Sequence, residues 1–407
     1  MTAVIGACYH QPITLRSCFI SPAAPDSYAI TAKNGESRLY GGSSPAFTLR
    51  VSTLSDWDRL VRAGTYQMAN AFVTAAFEIE GDILAAVRWW RDCEPAPSRL
   101  SRWLMRVWAI SQLDSWFSTE ARARQQIRFH YDRSNGFYSQ FLDQRMVYSC
   151  AYFADPAWDL DRAQVAKLEQ ICRKLDLEQT DRFLDVGCGW GALVIHAAQH
   201  YGAHAVGCTL SAKQVEFARD AVRARGLQER VAVDDLDYRN LSGRFDKIAS
   251  VGMYEHVGRR RLGMYFQTLA GLLEPDGLLL NHGIARPAQI EDDGSTRFMR
   301  QHVFPGGELP YLEDVVRAAE QAGFEVLDIE NLRPHYALTC AAWVTRLQSH
   351  RDQCLEEVDA ETYRTWLLYL AACATSFERS ESDVYQTLLA KRTSLVRRLR
   401  RPDAIHA

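Results

Sequence analysis

The sequence predicts an α/β protein built on a doubly wound sheet. The apolar run 183–187, FLDVG, suits an interior strand, and the glycines after it allow a tight turn into a helix from Ala192. Downstream, predicted strands and helices alternate regularly to about residue 332. This alternation is typical of right-handed β-α-β crossovers, and ligands of such sheets bind at the carboxyl ends of the strands.

The repeating pattern gives six strands, and helices precede or separate most of them. The predicted strands cover 183–187, 204–208, 230–235, 247–252, 278–282 and 324–332. Helices are predicted over 159–177, up to about His200, up to Arg225, from Arg260 and from about Leu312. The glycine loop, Glu255 and His282 all follow strands, so we expect them to converge at one edge of the sheet.

Length and charge favour two domains and no general affinity for nucleic acid. A chain of 407 residues exceeds the size at which one core stops growing. The net charge of -3 and the pI near 6.4 give no reason to expect a nucleic-acid partner. The sequence contains no run of about 18 apolar residues, and its first residues lack the basic region and the long apolar region of a secretory signal. We therefore expect a cytoplasmic protein with neither a secretory signal nor a membrane span.

The ten cysteines do not indicate disulfides or a metal site. They are scattered along the chain and lack paired C-x-x-C spacing. Cys188, Cys208 and Cys340 lie in apolar or glycine-rich segments, which favours small buried thiols. We therefore expect a reducing compartment and no metal.

Composition shifts divide the chain into five segments. We expect a flexible lead, a small N-terminal α+β domain, a linker with an amphipathic helix, a catalytic domain and a basic C-terminal tail. In the α+β domain, strand-period residues 47, 49 and 51 precede a helix from Ser55 or Asp56, a turn or strand near FEIEGD and a helix from Asp82. The five segments cover 1–30, 31–90, 91–124, 125–390 and 391–407.

The segment 100–118 has two interpretations. Its tryptophans lie at helical spacing, and Arg99, Arg102 and Arg106 follow a neighbouring face. Such a helix suits a membrane interface, where tryptophan favours the headgroup level and arginine meets anionic phosphate. It equally suits a helix packed between domains with its arginines in water. The sequence leaves both possibilities open.

The glycine loop and several later motifs together resemble a known family. Asp185 lies two residues before Gly187, as in motif I of S-adenosylmethionine-dependent methyltransferases. MVYSCAYF precedes this motif, and VGMYEHVG, NHGI, FPGGELP and RPHYALTCAAW follow it in order. The set resembles the cyclopropane-fatty-acyl-phospholipid synthase family, which includes the mycolic acid cyclopropane synthases. The resemblance runs from about residue 125 to 389 and more weakly back to 35, and it implies a seven-stranded class I methyltransferase sheet with a lipid-associated N-terminal domain.

The resemblance implies that S-adenosylmethionine is the methyl donor. Thr209 and Leu210 stand where an acid that binds the ribose is usual, so Gln214 is expected to take that role. Asp237 and Tyr238 match the adenine side. The implied donor-binding residues are Tyr148, Ser149, Asp185, Gly187, Gly189, Gly191, Thr209, Ser211, Gln214, Asp237 and Tyr238.

The implied reaction needs a dry pocket and one well-placed base. In this family an alkene attacks the sulfonium methyl, and the resulting cation loses a proton to close a three-membered ring. Aromatic faces stabilise a nearby cation. The candidates for such a lining are Tyr131, Tyr138, Phe141, Tyr152 and Phe153.

The base implied by the resemblance is a bound bicarbonate. Cys150 and Ile284 match positions that contact it through backbone groups, and Glu255, His282 and Tyr336 match positions that use side chains. An anion next to Glu255 requires a shared proton, so we expect a strongly coupled titration. Cys373 matches a cysteine assigned as the active residue in the family, although no neighbouring base favours a low pKa for its thiol.

These motifs predict an enzyme that methylates cis double bonds of phospholipid acyl chains and closes them to cyclopropanes. It would work at the inner face of the membrane as a peripheral protein, and a homodimer would present two sites to one surface. Methyl-branched lipid, an N-methylated small amine and a non-catalytic lipid-binding protein remain alternatives. NHGI in place of H-T-I, and Tyr254 in place of phenylalanine, depart from the family pattern and leave the acceptor open.

Overall fold

The computed structural model describes residues 27–93, 134–288, 294–304 and 308–392. These residues form two sheets, each with its own helices. The arginine- and tryptophan-rich segment 100–118, Tyr131 and the tail from residue 393 lie outside the described residues. Among the helices within those ranges, none is both long and apolar enough to cross a bilayer.

The N-terminal domain is a four-stranded sheet covered by three helices. The strands are β1 Ser27–Ala32, β2 Ser37–Gly41, β3 Phe47–Val51 and β4 Glu78–Gly81, in the order β2-β1-β3-β4. The helices are α1 Leu54–Ala63, α2 Thr65–Val73 and α3 Ile83–Cys93. Thus β1 begins within the segment predicted as a flexible lead, and α3 passes the predicted domain boundary at residue 90.

The second sheet has seven strands, as the fold class predicts. They are β5 Arg182–Val186, β6 His204–Thr209, β7 Val231–Asp235, β8 Phe245–Val251, β9 Leu273–Ala285, β10 Phe324–Asn331 and β11 Asp383–Lys391. Their order is β10-β11-β9-β8-β5-β6-β7, and β11 runs antiparallel to both of its neighbours. β11 was not predicted, because it lies beyond residue 332, where the predicted alternation of strands and helices ends.

Helices cover both faces of this sheet and build a further layer beyond its edge. Those predicted are α5 Leu160–Lys174, α6 Ala192–His196 with a π turn Ala197–Tyr201, α7 Ala212–Ala224, α9 Leu262–Leu272 and α11 Leu312–Gln321. Those not predicted are α4 Asn135–Ser139, α8 Tyr254–Val257, α10 Gly294–His302, α12 Arg333–Ser349, α13 Arg351–Glu357 and α14 Ala360–Glu378. One apolar cluster lies on each face of the sheet, and a third joins α12 and α14 to the N-terminal domain.

Ion pairs tie the two domains together around α14. Arg88 on α3 donates two hydrogen bonds to the Glu378 carboxylate, at 2.8 and 2.7 Å. Arg91 donates to Glu381 at 2.7 Å and to Ser295 Oγ at 2.9 Å. The Arg88 and Glu378 side chains are only 15% and 16% exposed, so water screens the pair weakly.

Replacing Arg88 should therefore weaken the whole fold. Arg88→Met leaves the Glu378 carboxylate half-buried without its partner, and we expect the free energy of unfolding to fall by about 2 kcal/mol, between the values for exposed and fully buried pairs. Arg50→Met is the matched control, because Arg50 and Glu80 form an exposed pair within the N-terminal sheet. Urea unfolding measures the stability of both variants. Equal losses of unfolding free energy would mean that the interdomain pair stabilises the fold no more than an exposed pair does.

Candidate active site

The glycine loop after β5 folds back on the neighbouring strand. Gly187 and Cys188 both donate backbone hydrogen bonds to the Cys208 carbonyl at 3.0 Å. Gly189 has a φ of +54°, and a Cβ there would meet no heavy atom of the described residues within 4 Å. The loop is therefore open at Gly189, where a ligand can approach the backbone closely.

Gly207, in the middle of β6, is a structural requirement of the loop that the motifs did not reveal. A Cβ at Gly207 would lie 2.8 Å from both Cβ and Sγ of Cys188. Any side chain there would push the loop away from the sheet. A glycine inside an apolar strand is the sequence signal that could have identified this close approach.

A cavity opens beside the loop at the carboxyl ends of β5, β6 and β8, and we name it the donor cavity. It collects most of the predicted donor-binding residues, although their binding role remains a prediction. Those that line it are Tyr148, Ser149, Asp185, Gly187, Gly189, Thr209, Gln214, Asp237 and Tyr238. Trp190, Lys167, Arg239 and His256 also line it and were not predicted.

Gly191 and Ser211 are not among the cavity-lining residues, although they were predicted with the others. Gly191 is the N-cap of α6, and a Cβ there would lie 2.9 Å from that of Ala218. Ser211 is the N-cap of α7, where its hydroxyl accepts from the Gln214 amide at 3.5 Å. Both residues thus shape the helices that carry the site.

Asp185 and Lys167 place opposite charges in the wall of the donor cavity. Burial raises the pKa of Asp185 to about 7, an effect that the Lys167 charge partly opposes. Burial lowers the pKa of Lys167 to about 8. The Lys167 ammonium donates to Ser149 Oγ at 3.0 Å, so the lysine also orients this predicted donor-binding residue. The sequence signal that could have identified Lys167 is a lysine on the apolar stripe of a predicted helix.

The predicted ribose side and the predicted adenine side of the cavity each contain a hydrogen bond between side chains. Thr209 donates to Gln214 Oε1 at 2.6 Å, which leaves the Gln214 amino group to face a ligand. Asp237 accepts from Arg239 at both oxygens, at 2.8 and 2.6 Å. The Asp237 carboxylate was predicted to meet an exocyclic amine, and the structure adds that its charge is already paired.

Glu255, on α8, is a half-buried residue whose two carboxylate oxygens have different surroundings. Its Oε1 accepts from the Ile284 amide at 2.7 Å, whereas Oε2 has no hydrogen-bond partner among the described residues. Burial raises the pKa of Glu255 to about 7, although the backbone hydrogen bonds lower it. Ile284, predicted to contact an anion through its backbone, thus uses its amide to hold Glu255, and its contact with an anion stays a prediction.

His282 presents a second buried polar atom without a partner. It is 2% exposed on β9, and its Nδ1 lies 3.2 Å from the Gln386 side-chain nitrogen. No described residue forms a hydrogen bond with His282 Nε2. Orphaned buried polar atoms are costly, so Glu255 Oε2 and His282 Nε2 each indicate a position for a polar atom of a ligand.

Three other predicted residues, Cys150, Tyr336 and Cys373, lie in or against the apolar clusters that Ile284 contacts. Cys150 and Tyr336 share an apolar cluster with Ile284, and the Tyr336 ring stacks on Phe377 at 4.5 Å. Burial raises the pKa of the Cys150 thiol well above its usual value and that of Cys373 to about 12. A raised pKa opposes nucleophilic action, so Cys373 has no sign of activation here.

An aromatic cluster adjoins the donor cavity, and we name it the aromatic wall. It comprises Tyr138, Phe141, Tyr148, Trp343 and Trp366, whose rings contact one another. Tyr138 also contacts Trp190 in the glycine loop, with centroids 5.0 Å apart. The wall thus includes two of the predicted aromatic candidates, whereas Tyr152 stacks on His335.

The two departures from the family pattern contact each other. A Cβ at Gly283 would lie 2.5 Å from ring atoms of Tyr254. Tyr254 is 2% exposed, so its ring fills the space that a larger residue at position 283 would need. Gly283 and Tyr254 therefore form a size-matched pair next to Glu255 and Ile284.

This sheet order and the cavity at its carboxyl edge define a class I S-adenosylmethionine-dependent methyltransferase. The structure of mycolic acid cyclopropane synthase CmaA1 complexed with SAH and CTAB matches with a TM-score of 0.63 and 33% identity, over 66% of this chain and 98% of that chain. It indicates S-adenosylmethionine as the donor.

The chain belongs to the mycolic acid cyclopropane synthetase family, whose model matches residues 118–387. A probable fatty acid methyltransferase of Pseudomonas putida is 40% identical over 86% of this chain and 88% of its own length. The cyclopropane-fatty-acyl-phospholipid synthase of Escherichia coli K12 is 30% identical over 86% of this chain and 89% of its own. The protein is thus a methyltransferase of the family that makes cyclopropane and methyl-branched lipids.

The buried charge of Glu255 should make the protein less stable above neutral pH. Its pKa of about 7 in the folded state exceeds the ordinary value of 4.5, so the unfolded chain loses this proton first and stability falls as pH rises between these values. We expect Glu255→Gln to be more stable than the natural protein at high pH, by up to about 3 kcal/mol, with no difference below the ordinary pKa.

Urea unfolding of the ligand-free proteins across this pH range measures the difference. Glu36→Gln is the control, because Glu36 is exposed in the N-terminal domain. If the difference in free energy of unfolding between Glu255→Gln and the natural protein did not change with pH, the raised pKa of Glu255 would be contradicted.

Gly189→Val should abolish donor binding without unfolding the chain. A Cβ at Gly189 has no described heavy atom within 4 Å, and Gly189 lines the donor cavity, so the valine would occupy space open to the ligand. Gly226→Val is a matched control, because Gly226 also has positive φ and open surroundings but does not line the donor cavity. Calorimetry with S-adenosylmethionine should show binding to Gly226→Val and to Glu255→Gln, and none to Gly189→Val. Equal losses in both valine variants would attribute the effect to backbone strain.

Proposed function

We propose that the protein transfers a methyl group from S-adenosylmethionine to a cis double bond of a phospholipid acyl chain and closes a cyclopropane ring, with bicarbonate as the base. The observation that carries this proposal is a pair of buried polar atoms, Glu255 Oε2 and His282 Nε2, that have no hydrogen-bond partner among the described residues. Met253 and His256, which lie close to Glu255 in the chain, line the donor cavity, and so does Gly252, whose amide donates to the His282 carbonyl. The N-methylation of an amine would not require this pair. A ring closure that removes a proton from carbon requires a base, and this pair of polar atoms could hold one.

The donor, when bound, supplies an electrophilic methyl group on a positively charged sulfur. Gly189 leaves its backbone open to a ligand, and Gln214 presents a side-chain amino group at the predicted ribose side. Lys167 and Asp185 add one charge of each sign. The chain thus offers separate contacts for the polar ends of an amino-acid nucleoside.

The residues beside Glu255 suit a small oxyanion that carries one proton. Glu255 Oε2 can accept a hydrogen bond from such a ligand when ionised or donate one when protonated, and a pKa of about 7 makes both states accessible near neutrality. His282 Nε2 and the Tyr336 hydroxyl supply further polar atoms in this region. Bound bicarbonate would supply a proton acceptor there, which the Cys373 thiol with its raised pKa does not.

The aromatic wall suits chemistry that passes through positive charge on carbon. Its rings exclude water, and their negative faces stabilise a cation without offering a nucleophile that could trap it. Among its members, Tyr148 also lines the donor cavity. This shared residue supports the proposal that an acceptor chain packs on the wall to reach the transferred methyl group.

Two findings support a lipid substrate, and work at the inner face of the membrane is a further part of the proposal. The Escherichia coli phospholipid-acting relative matches 86% of this chain, and so includes much of the N-terminal domain. The related structure holds CTAB, a detergent with one long alkyl chain. A dimer of this protein would present two such sites to one bilayer.

A methyl-branched lipid is the second candidate product. The relative at 40% identity is named a probable fatty acid methyltransferase, a name that specifies no ring. Both products share the donor, the alkene and the cation that methyl transfer forms. The cyclopropane forms when this cation loses a proton from the transferred methyl group, whereas a methyl-branched alkene forms when it loses a proton from a neighbouring carbon of the acyl chain.

Mass spectrometry of the lipid product distinguishes these reactions. Purified protein is mixed with S-adenosylmethionine carrying a trideuterated methyl group, bicarbonate, and vesicles of unsaturated phospholipid. We expect a new methylene with two deuteriums and loss of the alkene. Glu255→Gln should lower this turnover by roughly a hundredfold while it still binds the donor.

Other outcomes have distinct meanings. Retention of all three deuteriums would replace the cyclopropane proposal with a methyl-branched or N-methylated product. Label absent from every lipid, with S-adenosylhomocysteine released, would exclude a phospholipid acceptor.

A further inference from the structure

A chain of buried hydrogen bonds leads from the sheet edge to His282. Lys174, the last residue of α5, is 1% exposed, and its ammonium donates to the Glu330 carboxylate and, at 2.8 Å, to Gln386 Oε1. The other end of the Gln386 amide, Nε2, lies 3.2 Å from His282 Nδ1. Gln386 on β11 is the direct cross-strand partner of His282 on β9, so their side chains meet by register.

The chemistry of Lys174 fixes the direction of every bond in this chain. A lysine ammonium has only donors, so the Gln386 atom that faces it must be the carbonyl oxygen. The amino group of Gln386 then faces His282 and can only donate. His282 Nδ1 must therefore accept, which leaves the ring proton of a neutral imidazole on Nε2.

The surroundings of His282 keep its ring neutral. Burial lowers its pKa well below the usual value, and the positive charges of Lys167 and Lys174 lower it further. These two lysines lie seven residues apart on the inner stripe of α5. Two positive charges on one helix thus disfavour the doubly protonated, cationic form of the His282 ring.

We propose that Lys174 and Gln386 are positioning residues that fix His282 as the neutral tautomer with its proton on Nε2, ready to donate to an acceptor oxygen of a bound ligand. The donor at Nε2 is buried and lacks a protein acceptor within the described ranges, as a site that awaits an anion requires. The identity of the ligand as bicarbonate rests on the proposed function, whereas the tautomer does not.

Nitrogen-15 NMR of histidine-labelled, ligand-free protein reads the tautomer directly. The His282 signals are assigned by their loss in His282→Gln, and Nε2 is recognised because it couples strongly to both carbon-bound ring protons. We expect Nε2 to be protonated and Nδ1 unprotonated between about pH 6 and pH 8. A protonated Nδ1 in the natural protein would overturn the inference, whatever the variants do.

Lys174→Met tests the source of this preference. Without the ammonium, the Gln386 amide can turn over and accept from Nδ1–H, so signals of the second tautomer should emerge. Lys391→Met is the matched control, because Lys391 lies on the same strand and donates to the Leu273 carbonyl, far from His282. An unchanged tautomer in both Lys174→Met and Gln386→Leu would refute the positioning role.

Kinetics provide the functional measurement. For Lys174→Met and Gln386→Leu we expect kcat to fall roughly ten- to a hundredfold, with KM for S-adenosylmethionine within about twofold of the natural value. The bicarbonate concentration that gives half-maximal rate should rise in both variants, but not in Lys391→Met. A rise in the donor KM instead, with kcat unchanged, would contradict a role through His282.

The two proposals fail in different ways. The tautomer is measured without ligand or turnover. If the protein made no cyclopropane but showed a protonated Nε2, the proposed function would fail and the inference about His282 would hold. Cyclopropane formed by a protein with Nδ1–H would leave the proposed function standing and overturn the inference.

Discussion

The active edge of this sheet depends on one constraint, namely that several ionisable groups are buried together with few partners. Glu255 accepts a hydrogen bond from the Ile284 amide, and Asp185 lies in a cavity wall with Lys167 as its nearby opposite charge. Burying such groups costs free energy unless they are paired. The fold accepts this cost because the sheet and helices behind the groups are closely packed.

Helix α5 is the main support of these buried groups. Lys167 and Lys174 both project from its inner stripe, one to Ser149 at the donor cavity and the other to Gln386 behind His282. A small rotation of this helix would disturb both contacts at once. The predicted donor side and the proposed base side of the site are therefore both supported by one helix.

The sequence predicted the central architecture because local patterns encode it. The glycine loop, the alternation of strands and helices, and the position of Glu255 after β8 all follow from short-range composition and spacing. The motifs also indicated the donor cavity. Whether each predicted residue binds donor or bicarbonate is a question that its placement alone does not answer.

Contacts between distant segments were beyond prediction. Gln386 meets His282 only through the antiparallel pairing of β11 with β9, more than 100 residues apart in the chain. The Ile284 amide turns to Glu255 because α8 packs against the end of β9. The helices α12 to α14 carry no clear amphipathic pattern, since α14 is buried on most of its faces.

The buried state of α14 also bears on how family members of different length can arise. Phe72 and Trp90 of the N-terminal domain share one apolar core with Trp366 and Leu370 of this helix. Deleting the domain would expose apolar surface on the helix that helps to form the aromatic wall. A shorter descendant would therefore need new polar residues on the outer face of α14 before it could lose the domain, so gain of surface polarity should precede truncation in evolution.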